Sequence, residues 1–288
     1  MPEIAYVNGT FGPIADAHVP IEDRGFQFGD GIYEVLFSYD GHLFMPDEHF
    51  QRLRNSAAAI ELEYDFDANP ILAIVEEGLS RSGFADAIVY IQITRGVAPR
   101  SHLFATGMTP TVVVTFKKRP EVPKELVSRG ASVVTTTDER WARCFVKAIT
   151  LLPNVLAKTA AVRRGYDDAL FVTPTGEARE CTSANLYVVN DGTIQFPPRN
   201  QSVLHGITQL VVIECARRIG APTTEAVIQV DSLRLADEVF MSSTAVEVLG
   251  ITSIDGIQVG SGDVGPVTQQ LHEAFLATVK SGRLPASA

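Results

Sequence analysis

The stretch RWARCFVKAITLLPNVLAK (140–158) places one lysine, Lys147, inside an apolar run. Cys144, Phe145 and Val146 precede it; Ala148, Ile149, Leu151 and Leu152 follow. A lysine in such a run loses hydration, which is costly unless the ammonium is paired, neutralised or chemically used. One reading is structural: a side chain snorkelling from a strand edge, or a buried lysine paired with an acid. The other is a Schiff-base lysine whose amine desolvation keeps neutral and nucleophilic. The run alone favours the structural reading, so the rest of the chain must supply further parts of a site.

The chain has 288 residues, 45% of them hydrophobic, enough for one large domain or two ordinary ones with a substantial core. Its net charge of −10 argues against a nucleic-acid partner, which would call for a basic face. Three cysteines, Cys144, Cys181 and Cys215, form no CxxC pair, so neither a disulfide framework nor a zinc site is supported. The segment MPEIAYVNGT lacks a basic region followed by an apolar stretch, and no apolar run approaches the ~20 residues of a membrane span. The expectation is a cytoplasmic protein with no membrane or nucleic-acid partner.

Around the lysine, the charged, two-proline segment KKRPEVPKE (117–125) separates two β-branched runs and reads as a linker. It divides the chain into a smaller N-terminal domain over 1–118, a linker over 119–124 and a larger C-terminal domain over 125–288. In the first, YEVLFSYDGHLF reads as a hairpin turning at Asp40–Gly41. Phe50, Leu53, Ala57 and Ile60 recur at helical spacing over 46–61, and a second helix fits PILAIVEEGLSRSG. In the second, strands fit 130–137, 168–173 and 185–190, and helices fit GITQLVVIECARRIG and 263–280. The irregular alternation predicts two α+β domains on antiparallel or mixed sheets with flanking helices.

Further parts of a site can be picked out, each with a plain alternative. Gly206 and Thr208 open an amphipathic helix whose free N–H groups suit a phosphate, although a threonine there is more often a plain N-terminal hydroxyl. SSTA (242–245) offers hydroxyls at a strand end. Arg52 lies off the apolar stripe of its helix and reads first as a solvated charge, with a phosphate ligand as the alternative. RGVAPRSH (95–102) puts Arg100 and His102 on one side of an extended segment, as a carboxylate fork or as a mobile basic loop. Glu180, in EARECTSAN, reads as a solvated turn residue or as a carboxylate holding a proton on a ring nitrogen. No metal-ligand spacing, GxSxG elbow or P-loop is present.

An amine, a phosphate cradle and an acid together suggest pyridoxal phosphate. The sequence resembles the fold-type IV (class IV) pyridoxal-phosphate aminotransferases, most closely their bacterial D-amino acid (D-alanine) members. The resemblance spans nearly the whole chain and rests on seven stretches in order. They are EDRGFQFGDGIYEV (22–35), EHFQRL (48–53), IQITRGVAPRSH (91–102), the opening stretch, ARECTSANLYVV (178–189), LHGITQ (204–209) and MSSTAVEV (241–248).

The resemblance implies a two-domain fold-type IV enzyme, a homodimer whose active site is shared across the interface. Lys147 matches the lysine that forms the internal aldimine and shuttles the α-proton. Glu180 matches the acid beside the pyridine nitrogen, where a protonated ring is the better electron sink. Arg52, the backbone at Ile207 and Thr208, and Ser243 with Thr244 match the phosphate cradle. Leu204 matches a side chain packing on the cofactor ring, and Arg140 an arginine close to cofactor and lysine. Tyr33, Arg100 and His102 match a substrate-carboxylate trap, the Arg-x-His pair coming from the neighbouring subunit.

The trap implies ping-pong transamination of D-alanine- or D-glutamate-type substrates with 2-oxoglutarate or pyruvate. The alternatives within the fold are a branched-chain L-amino acid transaminase, an (R)-amine transaminase and an aminodeoxychorismate lyase. The chain departs from the family pattern at Ala148-Ile149-Thr150, where Ser-Leu-Asn is common, at Pro153, and at Cys181-Thr182. These departures bear on hydrogen bonding around the cofactor.

Overall fold

The computed structural model describes residues 3–281. The chain divides into two units. The first runs to Pro120 and takes back Val146–Thr150; the second comprises Glu121–Phe145 and the chain from Leu151 onward. The linear division between 118 and 125 did not anticipate this short return, which carries Lys147. Residues 282–288 of the expected C-terminal domain lie outside the described residues.

The first unit is built on a sheet whose strands all pair antiparallel. Its strands are β1 (Ile4–Val7), β2 (Thr10–Pro13), β3 (Gly31–Tyr39), β4 (His42–Leu43), β5 (Ala87–Thr94) and β6 (Thr111–Lys118), in the order β2-β1-β6-β5-β3-β4. Asp40 and Gly41 link β3 to β4 with φ of 49° and 80°, the left-handed pair a tight hairpin requires. Along β5, Ala87, Val89, Ile91 and Ile93 alternate into a fully buried face. Each branched side chain among them contributes about 1.5–3 kcal/mol of burial.

Among the described residues three α-helices accompany this sheet: α1 (Arg24–Phe28), α2 (Pro46–Ala59) and α3 (Ile71–Ser82). Pro46 opens α2, and Asp47 and Glu48 stand at its positive end. Gly83, at φ 68°, closes α3. The buried side of α2 is His49, Arg52, Leu53, Ser56 and Ala57, rotated from the stripe through Phe50 and Leu53 that hydrophobic spacing predicts. Polar side chains turn inward because a carboxylate on β3, Glu34, meets them there.

The second unit contains α4 (Lys124–Arg129), β7 (Ala131–Thr137), α5 (Leu152–Arg163), β8 (Asp168–Val172), β9 (Glu177–Cys181), β10 (Asn185–Asn190), β11 (Thr193–Phe196) and α6 (Ile207–Arg218). There follow β12 (Thr223–Glu225), β13 (Ile228–Gln229), α7 (Val230–Leu233), β14 (Glu238–Ser243), β15 (Glu247–Ile254), β16 (Ile257–Gln258) and α8 (Pro266–Ser281). Strands β10-β14-β15-β7-β8-β9 run in sequence around a mixed sheet, and the pairing of Asn185 with Glu180 joins β9 back to β10. Apolar side chains such as Val133, Leu170, Leu186, Met241 and Ile251 form its core.

Sequence periodicity did not reveal α5. Its inner side is small or polar: Ala161 packs with Val134 and Ala169, and Asn154 donates to the Thr182 carbonyl at 2.8 Å. Leu152, Val155, Leu156 and Val162 are exposed.

Candidate active site

The first unit holds a buried ion cluster beside Lys147. Glu34 points from β3 toward α2 and is fully buried. Arg52 grips it as a fork, Nε to Oε1 at 2.7 Å and Nη2 to Oε2 at 2.9 Å, and His49 Nδ1 lies 2.8 Å from Oε2. Burial opposes ionisation of Glu34, but the charges and hydrogen bonds of Arg52 and His49 outweigh it and hold the carboxyl far below its ordinary range. Burial pushes His49 down from its usual value; Glu34 works against that, while Arg52 and Lys147 add to it. Arg52 is therefore buried and paired, which corrects its reading as a solvated charge.

Main-chain bonds fix Lys147. Its carbonyl accepts from the Tyr33 N–H at 2.9 Å, and its own N–H donates to Ser56 Oγ at 3.2 Å. Ala148 bridges to Ile32, and the Ile149 N–H donates to the Gly31 carbonyl at 3.1 Å. The segment thus lies along the start of β3. The lysine is half-buried rather than sunk in its apolar run, with Nζ 4.3 Å from the centroid of the Tyr33 ring. Tyr33 in turn stacks on Tyr90 at 5.7 Å.

The second unit presents Glu180. Leu170 pairs with Cys181 but Val172 pairs with Ala178, so β9 carries one extra residue, and Arg179 and Glu180 together oppose Phe171. Such a bulge re-aims side chains. Glu180 is 5% exposed, in a strand rather than the solvated turn that was one of its readings. Arg140 Nη1 reaches its Oε1 at 2.5 Å while Nε and Nη2 of the same guanidinium bind Asp138, and Arg140 stacks 4.3 Å above Phe171. The Leu204 N–H donates to both Glu180 oxygens at 3.1–3.2 Å, and Asn185 Nδ2 lies 3.2 Å from Oε2. Burial nonetheless pushes the Glu180 carboxyl above its ordinary range.

The same asparagine places the start of α6. Asn185 Nδ2 also donates to the Leu204 carbonyl at 2.8 Å, and a Cβ on Gly206 would collide with Asn185 Oδ1. Only glycine permits that approach. Gly206 is the N-cap of α6 and gives no side-chain cap, so the N–H groups at Ile207 and Thr208 open the helix without one. Ser243 ends β14 and Thr244 follows it, both half-buried.

Arg100 and His102 sit on an exposed bend rather than the extended segment expected. Both lie against Phe28 in the first unit: the Arg100 guanidinium is 4.6 Å from the ring centroid and the His102 ring 5.6 Å.

The structure thus gathers Tyr33, Arg52 and Lys147 in the first unit, with Arg100 and His102 on its loop. In the second it places Arg140, Glu180 and Leu204 together, with Ile207 and Thr208 following on α6. Sequence reasoning missed Glu34, His49, Asp138 and Asn185. A single glutamate in the apolar strand GIYEVLF, with a His-x-x-Arg pair on the next helix, was the available signal for the first two.

Residues 31–254 match the family model for class IV amino-transferases. The D-alanine aminotransferase of Staphylococcus haemolyticus is 41% identical over 277 residues, 96% of this chain and 98% of the relative. That of Listeria monocytogenes serotype 4b is 40% identical, with 95% of each chain covered. Among solved structures, the T.th. branched-chain amino acid aminotransferase with pyridoxamine 5'-phosphate superposes with a TM-score of 0.90 at 28% identity, covering 97% of this chain and 95% of that one. The chain belongs to the class IV aminotransferases, enzymes of fold type IV that use pyridoxal phosphate.

Proposed function

We propose that this aminotransferase acts on D-amino acids of the D-alanine and D-glutamate type, with 2-oxo acids such as 2-oxoglutarate or pyruvate as acceptors. The observation that carries this reading is the near-full-length likeness to D-alanine aminotransferases at about 40% identity. The branched-chain structures are similar at 26–28%, so the branched-chain reading is the weaker one.

The donors present suit the cofactor. The uncapped N-terminus of α6 and the hydroxyls of Ser243 and Thr244 are phosphate-binding groups. Burial of Glu180 exceeds what its present donors offset, which is the setting for one further cationic donor, a protonated ring nitrogen. When bound, pyridoxal phosphate supplies the electron sink that makes a Cα proton removable.

The residues then divide the work. Lys147 would offer the amine through which the cofactor is held, take the proton from the substrate Cα and hand it on to the cofactor within the same half-reaction, the reverse half-cycle moving a proton the other way. Glu180 would keep a proton on the ring nitrogen; Arg140, steadied by Asp138, holds Glu180 in place. Leu204 would pack on the ring. Ile207 and Thr208 would hold the phosphate through their N–H groups, with Ser243 and Thr244. By the same family likeness Arg52 would belong to the cradle, while its fork holds Glu34.

Tyr33, Arg100 and His102 bind the substrate carboxylate, which fixes the face of Cα presented to Lys147 and so selects the hand. In this reading the enzyme is a homodimer in which Arg100 and His102 serve the partner's site. The exposed apolar stripe Leu152, Val155, Leu156 and Val162 on α5 supports association with a second copy. A cytoplasmic setting fits three unpaired cysteines. Among the described residues no helix is long and apolar enough to cross a membrane.

Half-reactions test the reading. D-alanine is expected to convert the cofactor and L-leucine to leave it unchanged; conversion by L-leucine alone would sink it.

A further inference from the structure

Two buried arginines in the first unit, Arg24 and Arg95, have no part in the reaction as assigned. They share one carboxylate: Arg24 Nε donates to Asp30 Oδ2 at 2.7 Å and Arg95 Nε to the same oxygen at 2.9 Å. Asp30 orients both guanidinium groups and leaves their outer N–H groups for other acceptors. Arg95 spends its own on the carbonyls of Glu61 and Ile60, at 2.6 and 2.8 Å. That ties the hub to the chain just past the end of α2.

Arg24 spends its outer N–H groups on the loop that carries Arg100 and His102. Nη1 donates to the Ser101 carbonyl at 2.6 Å, and Nη2 reaches toward the His102 carbonyl at 3.5 Å. Phe28, on the same short helix as Arg24, is the seat for the side chains. Arg24, Arg100 and His102 stand 4.8, 4.6 and 5.6 Å from its ring centroid. Further along, Phe104 lies 3.8 Å from the Arg95 guanidinium. At the loop's neck, Gly96 has φ 101°, and a Cβ there would collide with the Thr109 carbonyl oxygen.

Residues 99–107 are otherwise exposed, so no packed core fixes them. An exposed loop holds a two-pronged geometry only if something else restrains its backbone. Charge-assisted hydrogen bonds from a buried, pre-oriented guanidinium are strong enough to do so. The bonds go to main-chain carbonyls, so the restraint acts on the placement of both side chains together.

We propose that Arg24, backed by Asp30 and Arg95, is a positioning residue for the Arg100–His102 clamp and sets affinity for the substrate carboxylate rather than the chemical step. The proposal rests on reading Arg100 and His102 as that clamp, and the test separates the two.

Arg24→Lys, Arg24→Gln, Phe28→Leu and Arg100→Ala are compared as holoenzymes. The readouts are KM and kcat for D-alanine, the dissociation constant for propionate by calorimetry, and the single-turnover rate constant with isopropylamine, which has no carboxylate. Arg24→Gln is expected to raise the D-alanine KM and the propionate constant by about tenfold, the scale of one charge-assisted bond. Its rate constant with isopropylamine should stay within about twofold of the parent. Arg24→Lys and Phe28→Leu should show the same split, more weakly, and they carry the test if Arg24→Gln fails to fold.

If Arg100→Ala raises the D-alanine KM but the Arg24 and Phe28 variants do not, the positioning role is overturned and the clamp stands. Equal loss with D-alanine and isopropylamine overturns it in favour of a purely structural hub. If Arg100→Ala leaves KM and propionate binding unchanged, the clamp reading falls and the positioning role falls with it.

Discussion

Each unit buries one glutamate against an arginine, and the two carboxyls shift in opposite directions. Glu34 is held far below its ordinary range and Glu180 is pushed above it. The difference lies in how each arginine is shared. Arg52 gives Glu34 both arms of its fork and His49 adds a third partner. Arg140 gives Glu180 one nitrogen and commits the other two bonds to Asp138. Counted in cations rather than in hydrogen bonds, a saturated carboxylate is a structural anion; an undersupplied one is ready to receive another cationic donor, even where the N–H groups of Leu204 and Asn185 already reach its oxygens. The pair therefore separates the acid that holds the frame from the acid assigned to the cofactor.

The largest expected effect falls on the undersupplied acid. Glu180→Gln should lower kcat/KM for D-alanine about a hundredfold, the scale for losing one preorganised electrostatic partner, while leaving the fold intact by circular dichroism. Next comes the saturated acid. Glu34→Gln leaves the Arg52 charge buried without its carboxylate and should cost about 3 kcal/mol in urea unfolding. Swapped outcomes, with Glu34→Gln harming only catalysis and Glu180→Gln only stability, would invert the comparison.

The pH dependence sharpens it further. Glu34 has a lowered folded value, so its contribution is present above the ordinary carboxylate value and disappears as pH falls through the folded one. Glu180 has a raised folded value, so without cofactor its ionisation costs stability as pH rises past the ordinary carboxylate value. Melting of the cofactor-free protein should show Glu34→Gln flattening the acid limb and Glu180→Gln raising the melting temperature at neutral pH.

The smallest effect belongs to Asp167, which Arg129 and Ser132 hold down to about 2, against burial. Its stabilisation is present above the ordinary carboxylate value and is lost as pH falls through about 2. The Arg129 side of the pair is half-exposed, so Asp167→Asn should cost under about 1 kcal/mol in the same unfolding experiment.

Much of the frame was legible because local chemistry wrote it. Asp40–Gly41 names its hairpin, Gly83 ends α3, and the β-branched runs become strands. The burial of α2 was misjudged because periodicity counts apolar residues, whereas a glutamate on another strand draws His49 and Arg52 inward. Helix α5 was invisible for the opposite reason: its apolar stripe faces away from its own unit. The bulge that presents Glu180 arises from pairing with β8, information no local window contains. The site residues themselves were legible through family likeness, not spacing; for Arg100, His102 and Thr208 the local sequence favoured the bland alternative.

The central claim is that Lys147 and pyridoxal phosphate turn over D-amino acids, and one titration addresses it most directly. The purified holoenzyme should show a visible absorbance that D-alanine removes and pyruvate restores, that L-leucine leaves unchanged, and that Lys147→Ala lacks. A protein that stays colourless after incubation with pyridoxal phosphate, or whose absorbance responds only to the L-amino acid, would contradict the account.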